Sequence, residues 1–83
     1  MKFLASIDIM PLKELLDPQG KTVGKNMENI GIKGVEDVRI GKHIHIIIEA
    51  ENEDKATIEI EQACKKILAN QIMESFSYTL SPI

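Results

Sequence analysis

The order of hydrophobic periodicities along the chain restricts its fold more than any other feature of the sequence. Alternating apolar and polar residues, typical of strands, mark three segments, and a further β-branched run precedes the middle one. Apolar residues three and four positions apart, typical of amphipathic helices, mark two others. The resulting order, β-α-β-β-α-β, predicts a ferredoxin-like α+β sandwich in which a four-stranded antiparallel sheet carries both helices on one face.

The predicted elements follow one another without a linker. They are a strand over 2–10, a helix from Pro18 to about Ile30, a hairpin over 34–50 that turns at Gly41 and Lys42, a helix that follows residues 51–54 and runs to about Ala69, and a strand over 72–80. One face of such a sheet has no helix on it, and residues such as Leu4, Ile47 and Met73, or their opposites, are predicted to line it. An open face with apolar residues is a candidate interface.

The length of the chain predicts one small domain over residues 1–83 that associates with itself. A chain of this size buries only about 60% of the surface that its unfolded form exposes, and a partner subunit adds to that burial. A dimer and a tetramer fit equally well. The net charge is −3 and the charges alternate in sign along the chain, so no basic stripe or basic helix favours nucleic acid or a membrane surface.

Hydropathy and cysteine content predict a cytoplasmic protein. The longest apolar runs, such as Ile46 to Ile48, are far shorter than the ~20 residues that span a bilayer, and no signal-peptide pattern is present. The only cysteine, Cys64, excludes an internal disulfide and fits a reducing compartment. We interpret Cys64 as a small packed hydrophobe rather than a reactive thiol.

Motifs that carry chemistry are absent, so we do not expect this chain alone to be catalytic. His43 and His45 share a strand face about 7 Å apart, but no cysteine or third histidine completes a metal site. No glycine-flanked serine marks a nucleophile elbow, and no glycine-rich loop has the spacing that holds a phosphate. The sequence therefore predicts no catalytic residue, no metal and no cofactor site.

The stretch "LLDPQGKTV" at residues 15–23 has a partial structural explanation. Asp17 is suited to cap a helix, and Pro18 to occupy its first position, where no N–H is needed. Gln19 is not explained in this way, and Gly20 weakens a first turn unless something approaches its backbone closely. Farther along the chain, the guanidinium of Arg39 has two potential partners: a carboxylate of this chain, which we favour, or a carboxylate or phosphate of a partner.

Three strings, "LDPQG" at 16–20, "GVEDVRIGK" at 34–42 and "CKKILAN" at 64–70, together resemble the PurS family, the small subunits of phosphoribosylformylglycinamidine (FGAM) synthase. The likeness covers nearly the whole chain. It implies the ferredoxin-like fold and a non-catalytic role in the fourth step of purine biosynthesis. In this family PurS associates with itself and joins a PurQ glutaminase to a PurL synthetase. The assembled ligase transfers ammonia from glutamine to formylglycinamide ribonucleotide.

The resemblance also implies which residues matter and where the cofactors act. ATP and magnesium would be used by the synthetase partner, with no cofactor in this chain. The candidate subunit-contact or motif residues are Asp17, Pro18, Gln19, Gly20, Arg39, Gly41, Lys42 and Asn70.

Two alternatives use the same fold. A regulatory domain of the ACT type would bind an amino acid through glycine-bearing loops at a dimer interface. A small enzyme of the acylphosphatase type would need an Arg and an Asn to hold phosphate, which is disfavoured because the only arginine, Arg39, lies in the predicted hairpin.

Overall fold

The computed structural model describes all 83 residues, in three strands and two helices. The elements are β1 (Lys2–Pro11), α1 (Pro18–Asn29), β2 (Lys42–Glu49), α2 (Glu53–Ala63) and β3 (Glu74–Pro82). A π-helical stretch over Cys64–Leu68 extends α2 directly. Neither helix has the length and hydropathy that crossing a lipid bilayer requires.

The sheet is antiparallel, and its strand order is β2-β1-β3. α2 begins after Asn52, whose side chain caps it by accepting a hydrogen bond from the amide of Lys55, and it packs over β1 and β3. Alternation in β1 directs every second side chain toward α2. The buried core consists of Phe3, Ala5, Ile7 and Ile9 of β1 with Ala56, Ile60, Cys64 and Ala69.

The prediction of a four-stranded sheet with a hairpin at Gly41 is wrong, because residues 34–40 form no strand. A two-residue hairpin turn needs a positive φ, and Gly31, with φ +91°, is the only residue that has one. The chain therefore runs through Gly41 without reversing. Segment 34–40 follows α1 instead, where the backbone amide of Ile40 donates to the carboxylate of Asp17.

The prediction that both helices lie on one sheet face is wrong as well. α1 has almost the predicted bounds but makes no substantial contact with the sheet, and Gly20 is its only buried residue. The molecule measures 52 × 27 × 14 Å, so it is long and thin. We call residues 18–40, which comprise α1 and the segment that returns from it, the arm.

The face of the sheet away from α2 is open. Of the residues predicted to line such a face, Leu4 and Ile47 do so and Met73 does not. Leu4 and Ile47 are paired across β1 and β2 on this face, and Ile47 is 66% exposed. Met73 does not belong to it, because β3 begins two residues later than predicted. His43 and His45 also lie on this face, with ring centroids 4.6 Å apart, and His43 Nδ1 contacts the carboxylate of Asp8.

Candidate functional site

The three strings that suggested a family lie together at one end of the sheet, although 24 residues separate Leu15 from Arg39 in the chain. This end comprises the start of α1, the connection into β2 and the turn between α2 and β3. We call it the motif end. Most of its connections were not visible in the sequence, because they join the strings to one another or to residues outside them.

Asp17 ties two of the strings together. One carboxylate oxygen accepts from the amide of Gly20 at 2.9 Å, which caps α1 as predicted, and the other accepts from the amide of Ile40 at 2.8 Å. The bond to Gly20, then the bond to Ile40, and the nearby charge of Arg39 lower the pKa of Asp17 below its ordinary value. Both carboxylate oxygens of Asp17 thus accept hydrogen bonds from the arm, one from its start at Gly20 and one from its end at Ile40.

Asp17 should therefore make the protein sensitive to acid. Because its pKa is lowered on folding, the ionised carboxylate stabilises the fold above about pH 4, where unfolded aspartate is ionised, and that stabilisation is lost as pH falls through the folded pKa. We expect the difference in unfolding free energy between wild type and Asp17→Asn to shrink from pH 6 to pH 3. Urea titrations across this range test it. A difference that stays constant with pH would contradict the assignment.

Arg39 holds the loop between β1 and α1. Its guanidinium donates to the carbonyl of Leu15 at 3.2 Å, to that of Leu12 and, more weakly, to that of Pro11. The favoured in-chain carboxylate is not its hydrogen-bond partner, although Asp17 feels its charge. A run of carbonyls needs several diverging donors, and only the forked guanidinium supplies them.

Replacing Arg39 with lysine should destabilise the protein by about 1.5–3 kcal/mol, since a single ammonium cannot serve the separate carbonyls of the loop. Lys13→Ala is the control, because Lys13 is exposed in the same loop, and it should stay within about 0.5 kcal/mol of wild type. Denaturant unfolding at a fixed chain concentration measures both. Equal effects of the two substitutions would show that the fork is dispensable.

Gly20 and Gly41 are needed for close backbone approach. A Cβ at Gly20 would lie 1.9 Å from the carbonyl oxygen of Val38, and one at Gly41 would lie 2.2 Å from that of Ile9. Gly20 therefore lets α1 press against the returning segment, which explains the glycine in the first turn. Gly41 lets the returning segment pass close to the backbone of β1 as it enters β2.

The third string forms the turn into β3. The side-chain oxygen of Asn70 accepts from the amide of Ile72 at 3.1 Å, while its backbone amide donates to Glu74 at 2.9 Å. Lys42 reaches the same carboxylate at 3.9 Å. No sequence signal pointed to Glu74, whose role depends on its contacts with Lys42 of the second string and Asn70 of the third.

A cleft of about 440 Å³ opens at the motif end between α1 and the turn into β3. Its lining is mainly apolar with several amide and carboxylate groups: Pro11, Leu15, Leu16, Asp17, Pro18, Gln19, Ile40, Asn70, Met73 and Glu74. Leu16 and Met73 are 67% and 53% exposed, and Ile72 beside the cleft is 84% exposed. These apolar residues were not predicted to form a site, although Leu15 and Leu16, two consecutive leucines directly before the capping Asp17, were a usable signal.

The arrangement fits contact with another protein better than bond-making chemistry. Cys64 is buried away from the cleft, and burial together with Glu61 raises the pKa of its thiol, so the nucleophilic thiolate is disfavoured. The Tyr78 hydroxyl donates to Glu61 at 2.9 Å, and burial and this bond raise its pKa. No group of three His, Cys, Asp or Glu side chains is placed to hold a metal ion.

The family model for PurS, phosphoribosylformylglycinamidine (FGAM) synthase, matches residues 4–82. The chain belongs to the PurS family. The PurS subunit of FGAM synthase from Methanocaldococcus jannaschii is 35% identical over 81 residues, which are 98% of each chain, and that from Bacillus subtilis is 36% identical over 73 residues, 87% of this chain and 86% of that one. The chain is therefore a subunit of a ligase of purine biosynthesis, and the ACT-like alternative is not favoured.

Solved structures agree with this assignment. The crystal structure of M. jannaschii PurS superposes with a TM-score of 0.84 at 33% identity, covering 98% of both chains. A chain in the structure of PurLQS from Thermotoga maritima superposes with a TM-score of 0.88 at 30% identity and covers 98% of this chain and 99% of that one. The α+β, ferredoxin-like class is thus retained, with three strands in this chain instead of the predicted four.

Proposed function

We propose that this chain is a non-catalytic assembly subunit of FGAM synthase that joins a PurQ-type glutaminase to a PurL-type synthetase in the cytoplasm. The observation that carries the proposal is its full-length similarity to a chain of a PurLQS complex. Ammonia released from glutamine passes to formylglycinamide ribonucleotide, and ATP and magnesium are used by the synthetase partner. The chain supplies contact surface rather than reacting groups.

The motif end is the surface we assign to one of these partners. Leu16, Ile72 and Met73 expose apolar area beside the cleft, and the amide of Gln19 lies next to them. Exposed apolar residues with polar neighbours are typical of protein interfaces. Asp17 and Arg39 stabilise the shape of this surface through hydrogen bonds within the chain.

The decisive experiment measures FGAM formation by the purified glutaminase and synthetase with and without this chain, using either glutamine or ammonium as the nitrogen source. We expect the glutamine-dependent rate to require the chain and the ammonium-dependent rate to be independent of it. An unchanged glutamine-dependent rate in its absence would refute the proposal. Loss of both rates would instead assign the chain to the synthetase chemistry.

Replacing Gln19 with alanine should weaken complex formation while leaving stability within about 0.5 kcal/mol, because its side chain is exposed and lines the cleft. Gln62→Ala is the matched control, since Gln62 is exposed but does not line the cleft. Pull-down with the two partners and denaturant unfolding give the two readouts. If Gln19→Ala lowers stability as much as binding, Gln19 is not a contact residue.

A further inference from the structure

The open face of the sheet holds the two histidines of the chain close together. His43 and His45 are both exposed on the same side of β2, and their ring centroids are 4.6 Å apart. Alternate residues of a strand are about 7 Å apart along the backbone, so the two rings lean toward each other. The proposed function does not use this pair, which lies on the open face and not in the cleft at the motif end.

Asp8 fixes the orientation of one of the two rings. It lies opposite His43 in the register of β1 and β2, and its carboxylate accepts a hydrogen bond from Nδ1 of His43. Because an ionised carboxylate can only accept, Nδ1 carries the proton of the neutral ring and Nε2 keeps a free lone pair. A carboxylate on one nitrogen is the usual partner of a metal-binding histidine, since it orients the ring and makes the other nitrogen a better ligand.

The ring of His45 is free to complete the pair. It is exposed and stands edge-on to the ring of His43, at an interplanar angle of 78°. The last torsion of a histidine side chain has a broad energy minimum, so an exposed ring turns about it at little cost. A nitrogen of His45 can therefore face Nε2 of His43.

The spacing of the two rings fits two ligands of one ion. Zinc–nitrogen bonds are about 2.0–2.1 Å long and a ring nitrogen is about 1.1 Å from its ring centre, so imidazoles that meet at about 90–110° have ring centres about 4.5–5.2 Å apart. The 4.6 Å between the rings of His43 and His45 lies within this range. Chelation therefore needs no movement of β2.

The charges on the open face favour a cation beside the histidines. The other charged groups of this face are Asp8 and, at the far end of β2, Glu49 opposite Lys2. The side chain of Lys42 belongs to the α2 side of the sheet. β3 contributes only hydroxyl side chains to the open face: Ser75, Ser77, Thr79 and Ser81. The group nearest to the two imidazoles is thus a carboxylate and not a competing cation.

We infer that His43 and His45 chelate one divalent ion of the zinc, copper or nickel class, with Asp8 as a positioning residue. Imidazole is a suitable ligand for these ions, whereas Mg²⁺ prefers oxygen ligands and retains its waters. No group of three His, Cys, Asp or Glu side chains is placed to hold a metal, so water fills the remaining positions. The sequence prediction of no metal site rested on that missing third ligand, which a chelate of two imidazoles does not require.

Zinc titration of the unmodified protein tests the site. By calorimetry and by NMR of the imidazole protons at pH 7, we expect one Zn²⁺ per chain, a joint response of both histidines and no response to Mg²⁺. The chain has only these two histidines, so the imidazole signals report on this site alone. At pH 5 the affinity should be at least about 100-fold lower, because a protonated imidazole has no lone pair for the metal. Imidazole signals that do not respond to millimolar Zn²⁺ would overturn the inference.

Single replacements separate chelation from binding by two independent rings. His43→Gln and His45→Gln each leave one imidazole, and we expect each to lower the zinc affinity at least about 10-fold, because the second ligand is lost from its high effective concentration. Independent rings would keep the same affinity per site and lose only half of the bound zinc, which would refute chelation. The variant lacking both histidines should not bind; zinc binding that survives in it would place the site elsewhere.

Asp8→Asn tests the positioning role and Glu49→Gln is its matched control, since each removes one carboxylate from the open face. We expect Asp8→Asn to bind zinc about 10-fold more weakly and to lose the Nδ1–H tautomer of His43, as measured by the ¹⁵N shifts of its ring. Glu49 is about 13 Å along the strand from His45, beyond the Debye length of about 10 Å at 0.1 M salt, so Glu49→Gln should change neither the affinity nor the tautomer.

Circular dichroism shows whether these exposed-site variants are folded. If Asp8→Asn and Glu49→Gln lower the affinity equally, or if the tautomer of His43 is the same in both, Asp8 does not position the ring. None of these measurements uses the glutaminase or the synthetase, so their outcome is separable from that of the proposed function.

Discussion

Replacing Ile60 with alanine is expected to lower the free energy of unfolding by about 2–5 kcal/mol. Ile60, a residue of α2, is 1% exposed and belongs to the same buried cluster as Ile7 and Ile9 of β1. The substitution removes three buried carbon atoms and leaves a cavity that the neighbouring strand cannot close. In a domain this small, such a loss is a large part of the total stability.

Ile58→Ala is the matched control, since it removes the same atoms from the same helix at a position that is 59% exposed. We expect it to stay within about 0.5–1 kcal/mol of wild type. Unfolding in urea at one fixed chain concentration compares the two, because association contributes to apparent stability. Similar losses at both positions would mean that α2 is not seated on β1 as described.

The two glycines of α1 are expected to respond to alanine with opposite signs. At Gly20 the new methyl group would lie 1.9 Å from the Val38 carbonyl oxygen, so α1 must move away from the returning segment, at a cost of about 1–3 kcal/mol. At Gly24 the methyl would lie 3.5 Å from a methyl group of Val38, an ordinary contact. Alanine there should stabilise the helix by about 0.5–1 kcal/mol.

Thermal and urea unfolding of Gly20→Ala and Gly24→Ala measure this difference within one helix and one type of substitution. The same variants bear on assembly, because a displaced α1 also reshapes the cleft next to Gln19. Gly20→Ala should therefore bind the partner subunits more weakly than Gly24→Ala does. Two substitutions that behave alike would show that α1 is not held against Val38.

Much of the local structure could be predicted from the sequence, because its causes lie within a few residues. Asp17 and Pro18 start α1 where predicted, and Asp17 caps it through the amide of Gly20. The alternation in residues 2–10 identified the buried face of β1 correctly. The three strings were sufficient to indicate the PurS family, which the match over residues 4–82 confirms.

The candidate site was predicted only as a set of residues. Nothing in the strings showed that Asp17 bonds Ile40, that Arg39 serves the carbonyls of a loop, or that Glu74 joins Lys42 to Asn70. Each of these contacts joins residues of different segments of the chain or a residue outside the strings, and the partners are set by the path of the backbone. Whether the eight candidate residues contact PurQ or PurL stays a prediction.

The sequence by itself determined where the chain is helical or extended, which residues can be buried and which family it belongs to, because these follow from local propensity, periodicity and motif identity. Only the tertiary structure decided the course of residues 34–40. Their β-branched pattern favours an extended backbone but does not specify a hydrogen-bond partner. The extended path through Gly41 and the contact of Gly20 with Val38 direct this segment along α1 and leave β2 with a free edge.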